Sequence, residues 1–129
     1  MKKRCVDAPS GPPAAGPYSP AVAVGDLLFV SGQVALAPDG SGPVRGSFEE
    51  EVRQALSNLK AVLENAGSGL EHVVKTTVYL ADMEQFGTFN SIYGEAFGVN
   101  PPARTCVQAA RLPMDFQVEI EAIAVIPIP

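Results

Sequence analysis

Arg104 stands directly behind a Pro101-Pro102-Ala103 stop and opens the run "RTCVQAARL". An arginine fixed at the start of a strand is a planar, bidentate donor suited to a carboxylate or a phosphate. The bland alternative is a surface salt bridge to any nearby acid. Strand alternation puts Cys106 and Gln108 on the same face as Arg104. In the last apolar run, "QVEIEAIAV", Glu119 and Glu121 share one face, and Val118, Ile120 and Ala122 share the other. Such a pair is usually a solvated strand face, but an acid drawn into a pocket could orient or deprotonate water. Asn90 falls on one helical stripe with Met83, Phe86, Tyr93 and Phe97. Left unpaired among those apolar groups, its amide would cost roughly 1–3 kcal/mol. It must bond to a nearby loop backbone or line a polar pocket. Cys106 has no base beside it, since the only histidine, His72, lies in another element. Cleft lining suits Cys106 better than nucleophilic catalysis.

Composition narrows the partners. A chain of 129 residues is one domain by length, and 47% hydrophobic residues can fill a core. Nine basic against fourteen acidic residues give a net charge of −5. Lys2, Lys3 and Arg4 are the only basic cluster. Nucleic-acid binding wants a basic stripe to replace phosphate counterions, so no nucleic-acid partner is expected. No apolar run has membrane-spanning length, and "VDAPSGPPAAG" after "MKKRC" supplies no hydrophobic stretch for a secretory signal. The expectation is a cytoplasmic protein with no membrane partner, in which Cys5 and Cys106 stay reduced. No Cys/His/Asp cluster has metal-ligand spacing, so no metal site is expected.

The elements that must position these residues follow from pattern. Residues 1–16, rich in Pro, Gly and small side chains, read as a flexible leader, and residues 17–129 as a single domain. Two apolar runs around Gly25-Asp26 signal a β-hairpin. Ser47 and Glu50 form a capping-box pair, and Glu49, Glu50 and Glu51 make a solvated acidic start to a helix. Val52, Ala55, Leu56, Leu59, Val62 and Leu63 form its buried face, and Gly67 its stop. "HVVKTTVYLAD" reads as a strand, and Asp82 with Gln85 caps a second helix. Two final strands, about 104–111 and 117–126, are joined by a short link and are expected to pair as an antiparallel hairpin. The predicted order is β-β-α-β-α-β-β, an α+β fold with two helices on one face of a mostly antiparallel sheet. Strand residues such as Val74, Val78, Leu80, Val107 and Ile120 make the sheet apolar on both sides, so the uncovered side predicts association.

"GPYSPAV", "LFVSGQ", "LSNLKAVLENAG", "VKTTVYLADMEQFGTFNSIYGEAF", "PARTCV", "ARLP" and "VEIEAIAV" occur in that order. Together they resemble the Rid family (reactive intermediate deaminases, also called YjgF-type), and its RidA branch in particular. The resemblance spans roughly Gly16 to Pro127. It implies a chorismate-mutase-like fold of the bacillus type, assembled as a homotrimeric barrel with ligand clefts between subunits. It also implies 2-iminobutanoate/2-iminopropanoate deaminase activity. The unstable enamine/imine products of pyridoxal-phosphate dehydratases would be hydrolysed to 2-oxo acids and ammonia, without a cofactor. The family's carboxylate-binding arginine matches Arg104 and its water-associated glutamate matches Glu119. Its cleft residues match Tyr18, Ser31, Gly32, Asn90 and Cys106. Asn100-Pro101-Pro102 departs from the family's aromatic residue before a single proline, at the cleft rim. The alternatives are a non-catalytic metabolite-binding module and a chaperone-like protein; a ribonuclease is disfavoured by the acidic balance. In the expected hairpin Arg104 and Glu119 stand ~15 Å apart. A shared substrate would then need Arg104 from one subunit and Glu119 from its neighbour.

Overall fold

Ser47 starts the first helix as its sequence dictates. In the computed structural model, which describes residues 1–128, helix α1 runs Phe48–Asn65. The Ser47 hydroxyl accepts from the Glu50 amide at 3.2 Å, and the Glu50 carboxylate accepts from the Ser47 amide at 3.4 Å. The reciprocal bonds satisfy two donors that a helix start otherwise leaves open. At the other end Gly67 takes φ 83°, the left-handed conformation that glycine adopts without a Cβ clash. The Gly67 amide then bonds Glu64 and the Ser68 amide bonds Leu63, which closes the last turn. Val52, Ala55, Leu59, Val62 and Leu63 are buried along one side. Glu51 departs from the solvated start expected of it: it is 2% exposed.

Asp82 caps a single turn, Met83–Gln85, by accepting from the Glu84 amide. The cap therefore precedes the second helix, α2 (Phe86–Phe97), rather than sitting on it.

Among the described residues six strands form one sheet: β1 (Lys3–Val6), β2 (Ala21–Val24), β3 (Leu27–Gln33), β4 (Val73–Leu80), β5 (Ala103–Gln108) and β6 (Val118–Val125). Their order across the sheet is β1-β2-β3-β6-β4-β5. All neighbours are antiparallel except β4 and β5, which are parallel. The mostly antiparallel α+β sheet with two helices on one face is as the sequence predicts. Two expectations are corrected. The expected leader supplies β1, paired with β2, and its Ala8 is buried in the core. The expected hairpin of the last two strands does not exist, because β4 lies between them. A β4-α2-β5 crossover makes β5 a parallel neighbour of β4, and this leaves the other edge of β4 for β6.

The core lies between the helices and one sheet face. Leu28, Val30, Thr76, Val78, Leu80, Val118, Ile120, Ala122 and Ala124 point into it. Val78, Leu80 and Ile120 are thus satisfied within the chain. Val74 and Val107 are exposed as expected, at 47% and 41%, and Leu27 and Phe29, each 44% exposed, are the exposed apolar strand residues that the expectation did not name. Ser47→Ala should cost ~1 kcal/mol of stability by loss of the cap. A lower urea midpoint with an unchanged slope, at fixed protein concentration, would show it.

Candidate functional site

Between Val30 and Gln33 the β3–β6 register slips, so Ser31 and Gly32 together oppose Glu121. This bulge bends β3 where Glu119 emerges from β6. Gly32 is required by that approach: a Cβ there would lie 2.7 Å from the Glu119 carboxyl carbon. The Ser31 hydroxyl donates to the Ser19 carbonyl at 2.7 Å, and the Ser31 amide to the Pro20 carbonyl at 3.0 Å. These bonds tie the Tyr18 segment to β3. Tyr18 accepts from the Ala15 amide at 3.1 Å. The result is a cleft of ≈ 310 Å³ where Tyr18, Ser31, Gly32 and Glu119 meet, walled by Leu36, Met114 and Phe116.

Burial pushes the Glu119 carboxyl above its ordinary range, and the neighbouring Glu121 charge adds to this. Glu121 itself is engaged, accepting from the Tyr79 hydroxyl at 2.7 Å. Glu119 is therefore the acid of the pair that faces open space. An acid held toward neutrality can take a proton from water and return it.

Arg104, Asn90 and Cys106 form a second cluster elsewhere. An Arg104 Nη1 proton goes to the Asn90 side-chain oxygen at 2.8 Å. The guanidinium lies 4.8 Å from the Tyr93 ring centre, 5.4 Å from Phe86 and 5.9 Å from Phe89. Tyr93 is fixed from behind by a buried 2.7 Å hydrogen bond with Thr76. Among the described residues no carboxylate comes within 4 Å of Arg104. The surface-salt-bridge reading of Arg104 finds no partner, and Asn90 turns to the arginine rather than to a loop backbone. One guanidinium proton meets Asn90 and the rings hold the plane, which leaves further N–H groups for an anionic ligand. Burial raises the Cys106 thiol pKa, and Arg104 only partly offsets it. This disfavours the thiolate that nucleophilic attack would need.

The two clusters cannot meet within one chain. Arg104 pairs in register with Thr76, whose side chain points into the core, and Glu119 pairs with Tyr79 on the uncovered face. Two strand spacings and three residues separate their Cα positions by ~14 Å. A hairpin would hold the two residues at a similar distance but not on opposite faces. Phe89 and the Met114–Phe116 wall are site residues that the sequence does not reveal. Phe89 reads only as another apolar helix residue, and nothing in "LPMDF" marks a cleft wall.

A model of the family described as Endoribonuclease L-PSP matches residues 8–126. The mouse protein named 2-iminobutanoate/2-iminopropanoate deaminase is 48% identical over 123 residues, covering 95% of this chain and 91% of its own. RutC family protein PYRAB12510 of Pyrococcus abyssi is 43% identical, covering 96% and 98%. The crystal structure of YEO7_yeast superposes with a TM-score of 0.93 at 42% identity, covering 96% of this chain and 98% of the yeast chain.

A raised Glu119 pKa means that the folded state binds its proton more tightly than the unfolded chain. Stability is then lost as pH rises from the unfolded pKa through the folded one. Glu119→Gln should raise the urea midpoint at about pH 7.5, and the gain should vanish near about pH 3, where both states are protonated. Parallel urea titrations at the two pH values check both halves.

Proposed function

The chain belongs to the Endoribonuclease L-PSP family, the Rid (YjgF/RutC) family of its sequence resemblance, and on that premise we propose that it hydrolyses small 2-imino acids. The products are 2-oxo acids and ammonia, and 2-iminobutanoate and 2-iminopropanoate are the substrates. One observation carries the reading: an arginine with no acid partner among the described residues, held by three rings and an amide, on the opposite sheet face from a half-buried glutamate. Each cluster is half of a site. In a homotrimer built on the uncovered face, Arg104 of one subunit would face Glu119 of its neighbour.

In that composite site Arg104 clamps the substrate carboxylate, its plane set by Tyr93 and its roll by Asn90. The Gly32 backbone amide of the facing half is a second donor. Water bound to Glu119 attacks the C=N carbon, and Glu119 takes the proton. Glu119 returns that proton to nitrogen to give the neutral carbinolamine, then carries the hydroxyl proton to the amino group, and the intermediate collapses as C=O forms and ammonia leaves. The imine is already a strong electrophile, so positioning with one acid/base group, typically worth ~10²–10⁴-fold, is sufficient. No cofactor enters. Tyr18 and Cys106 line the space around the substrate. Two free cysteines fit a reducing, cytoplasmic setting.

The second reading is a non-catalytic carboxylate binder. It is favoured by the Arg104 box being complete within one chain. Release of ammonia from freshly generated 2-iminobutanoate separates the two, since a binder would leave the spontaneous rate unchanged.

Light scattering should give about three times the 13.5 kDa chain mass. Arg104→Ala should abolish the hydrolysis with the fold intact, and Arg104→Lys should recover only part, because an ammonium lacks the planar fork. Arg104→Ala and Glu119→Ala, each inactive alone, should regain partial activity in mixed trimers. Verified mixed trimers that stay inactive would exclude the shared site.

A further inference from the structure

Three glutamates open α1, and only Glu51 among them is buried, at 2% exposure. Its Oε2 accepts from the Gln117 backbone amide at 3.2 Å, and its Oε1 lies 3.9 Å from Arg45 Nη1. Arg45 in turn donates from Nη2 to the Met114 carbonyl at 2.6 Å, and its guanidinium covers the Phe116 ring at 4.9 Å. These contacts converge on one segment, the turn from Pro113 to Gln117 that feeds β6.

That turn is not one the chain adopts by default. Met114 and Asp115 both sit in the left-handed region, at φ 54° and 55°. Non-glycine residues stay there only where surrounding contacts impose it. Met114 and Phe116 wall the Glu119 cleft, and Gln117 precedes Glu119 by two residues. Burying a carboxylate is costly unless it is bonded, and well-packed apolar residues often serve stability as well or better. Stability alone therefore gives no account of an acid at position 51.

We propose that Glu51 is a positioning residue of the Glu119 half-site, fixing the Pro113–Gln117 turn through the Gln117 amide and Arg45 without touching substrate. Its kinetic consequence rests on the hydrolase reading above. The carboxylate donors, Arg104 on the other half and the Gly32 amide on β3, lie outside the Pro113–Gln117 turn, so substrate binding is unaffected while the placement of the attacking water is not.

The test compares Glu51→Ala, Glu51→Gln and Arg45→Ala; Arg45 is 53% exposed, so its replacement leaves the core intact. In imine hydrolysis Glu51→Ala should lose ~10- to 100-fold in kcat with KM unchanged, as for a misplaced group that acts only in the transition state. Glu51→Gln keeps an acceptor for the Gln117 amide and should restore most of that loss. Arg45→Ala should show a smaller fall of the same kind. The pH midpoint of the Glu119 carboxyl signal, followed by carbon NMR, should move in Glu51→Ala and Arg45→Ala. Unchanged kcat per folded site with an unmoved midpoint in Arg45→Ala and in whichever Glu51 variants fold would overturn the proposal. If the wild-type protein releases no ammonia, the hydrolase reading fails. The Glu119 midpoint then decides alone: a shift supports positioning, and no shift overturns it.

Discussion

The two-residue alternation of β6 decides which face of the sheet Glu119 and Glu121 occupy. Val118, Ile120, Ala122 and Ala124 must all face the helices, since β6 is a central strand with neighbours on both edges. Glu119 and Glu121 are then committed to the opposite face, because sliding the strand by one residue would bury two acids and expose the core set. The same rule acts on β5 through its register with β4. Thr76 and Val78 point inward, and so Arg104 and Cys106 lie on the helix side. Cation and acid are separated by the sheet itself.

Each cluster is held by a different kind of force. Arg104 is placed by packing: three rings and a hydroxyl pair set the plane of a charge that has no ionic partner among the described residues. Glu119 is placed by backbone geometry, with a bulge, a missing Cβ at Gly32 and a left-handed turn surrounding a carboxyl whose burial opposes its ionisation. The Glu119 cluster carries strain and desolvation, as sites adapted for chemistry commonly do.

The sequence made local features plain and long-range ones obscure. Ser47 and Glu50 read as a capping box because both partners lie within one turn. Asn90 among aromatic residues flagged a polar demand that Arg104 meets. Glu119 and Glu121 were assigned to one face by alternation alone. The short link before β6 suggested a hairpin, yet strand pairing is decided by the crossover of α2 and by which strand can be buried on both edges. β1 was hidden in a segment whose proline and glycine content, concentrated after Asp7, masked the four residues before it. Glu51 looked like its two solvated neighbours, since its partners, Arg45 and Gln117, come from either side of the helix in the chain and lie up to 66 residues away.

β1 also changes what the basic N-terminal cluster means. Within the chain it is the outermost strand on its side of the sheet, only four residues long, and Lys3 and Arg4 belong to it. An exposed strand edge is a template on which other chains can stack without limit. Short length and repelling positive charges are two of the devices that natural sheets use against this. Lys3 and Arg4, read in the sequence only as part of a basic cluster, thus give this edge the charge that such a device requires.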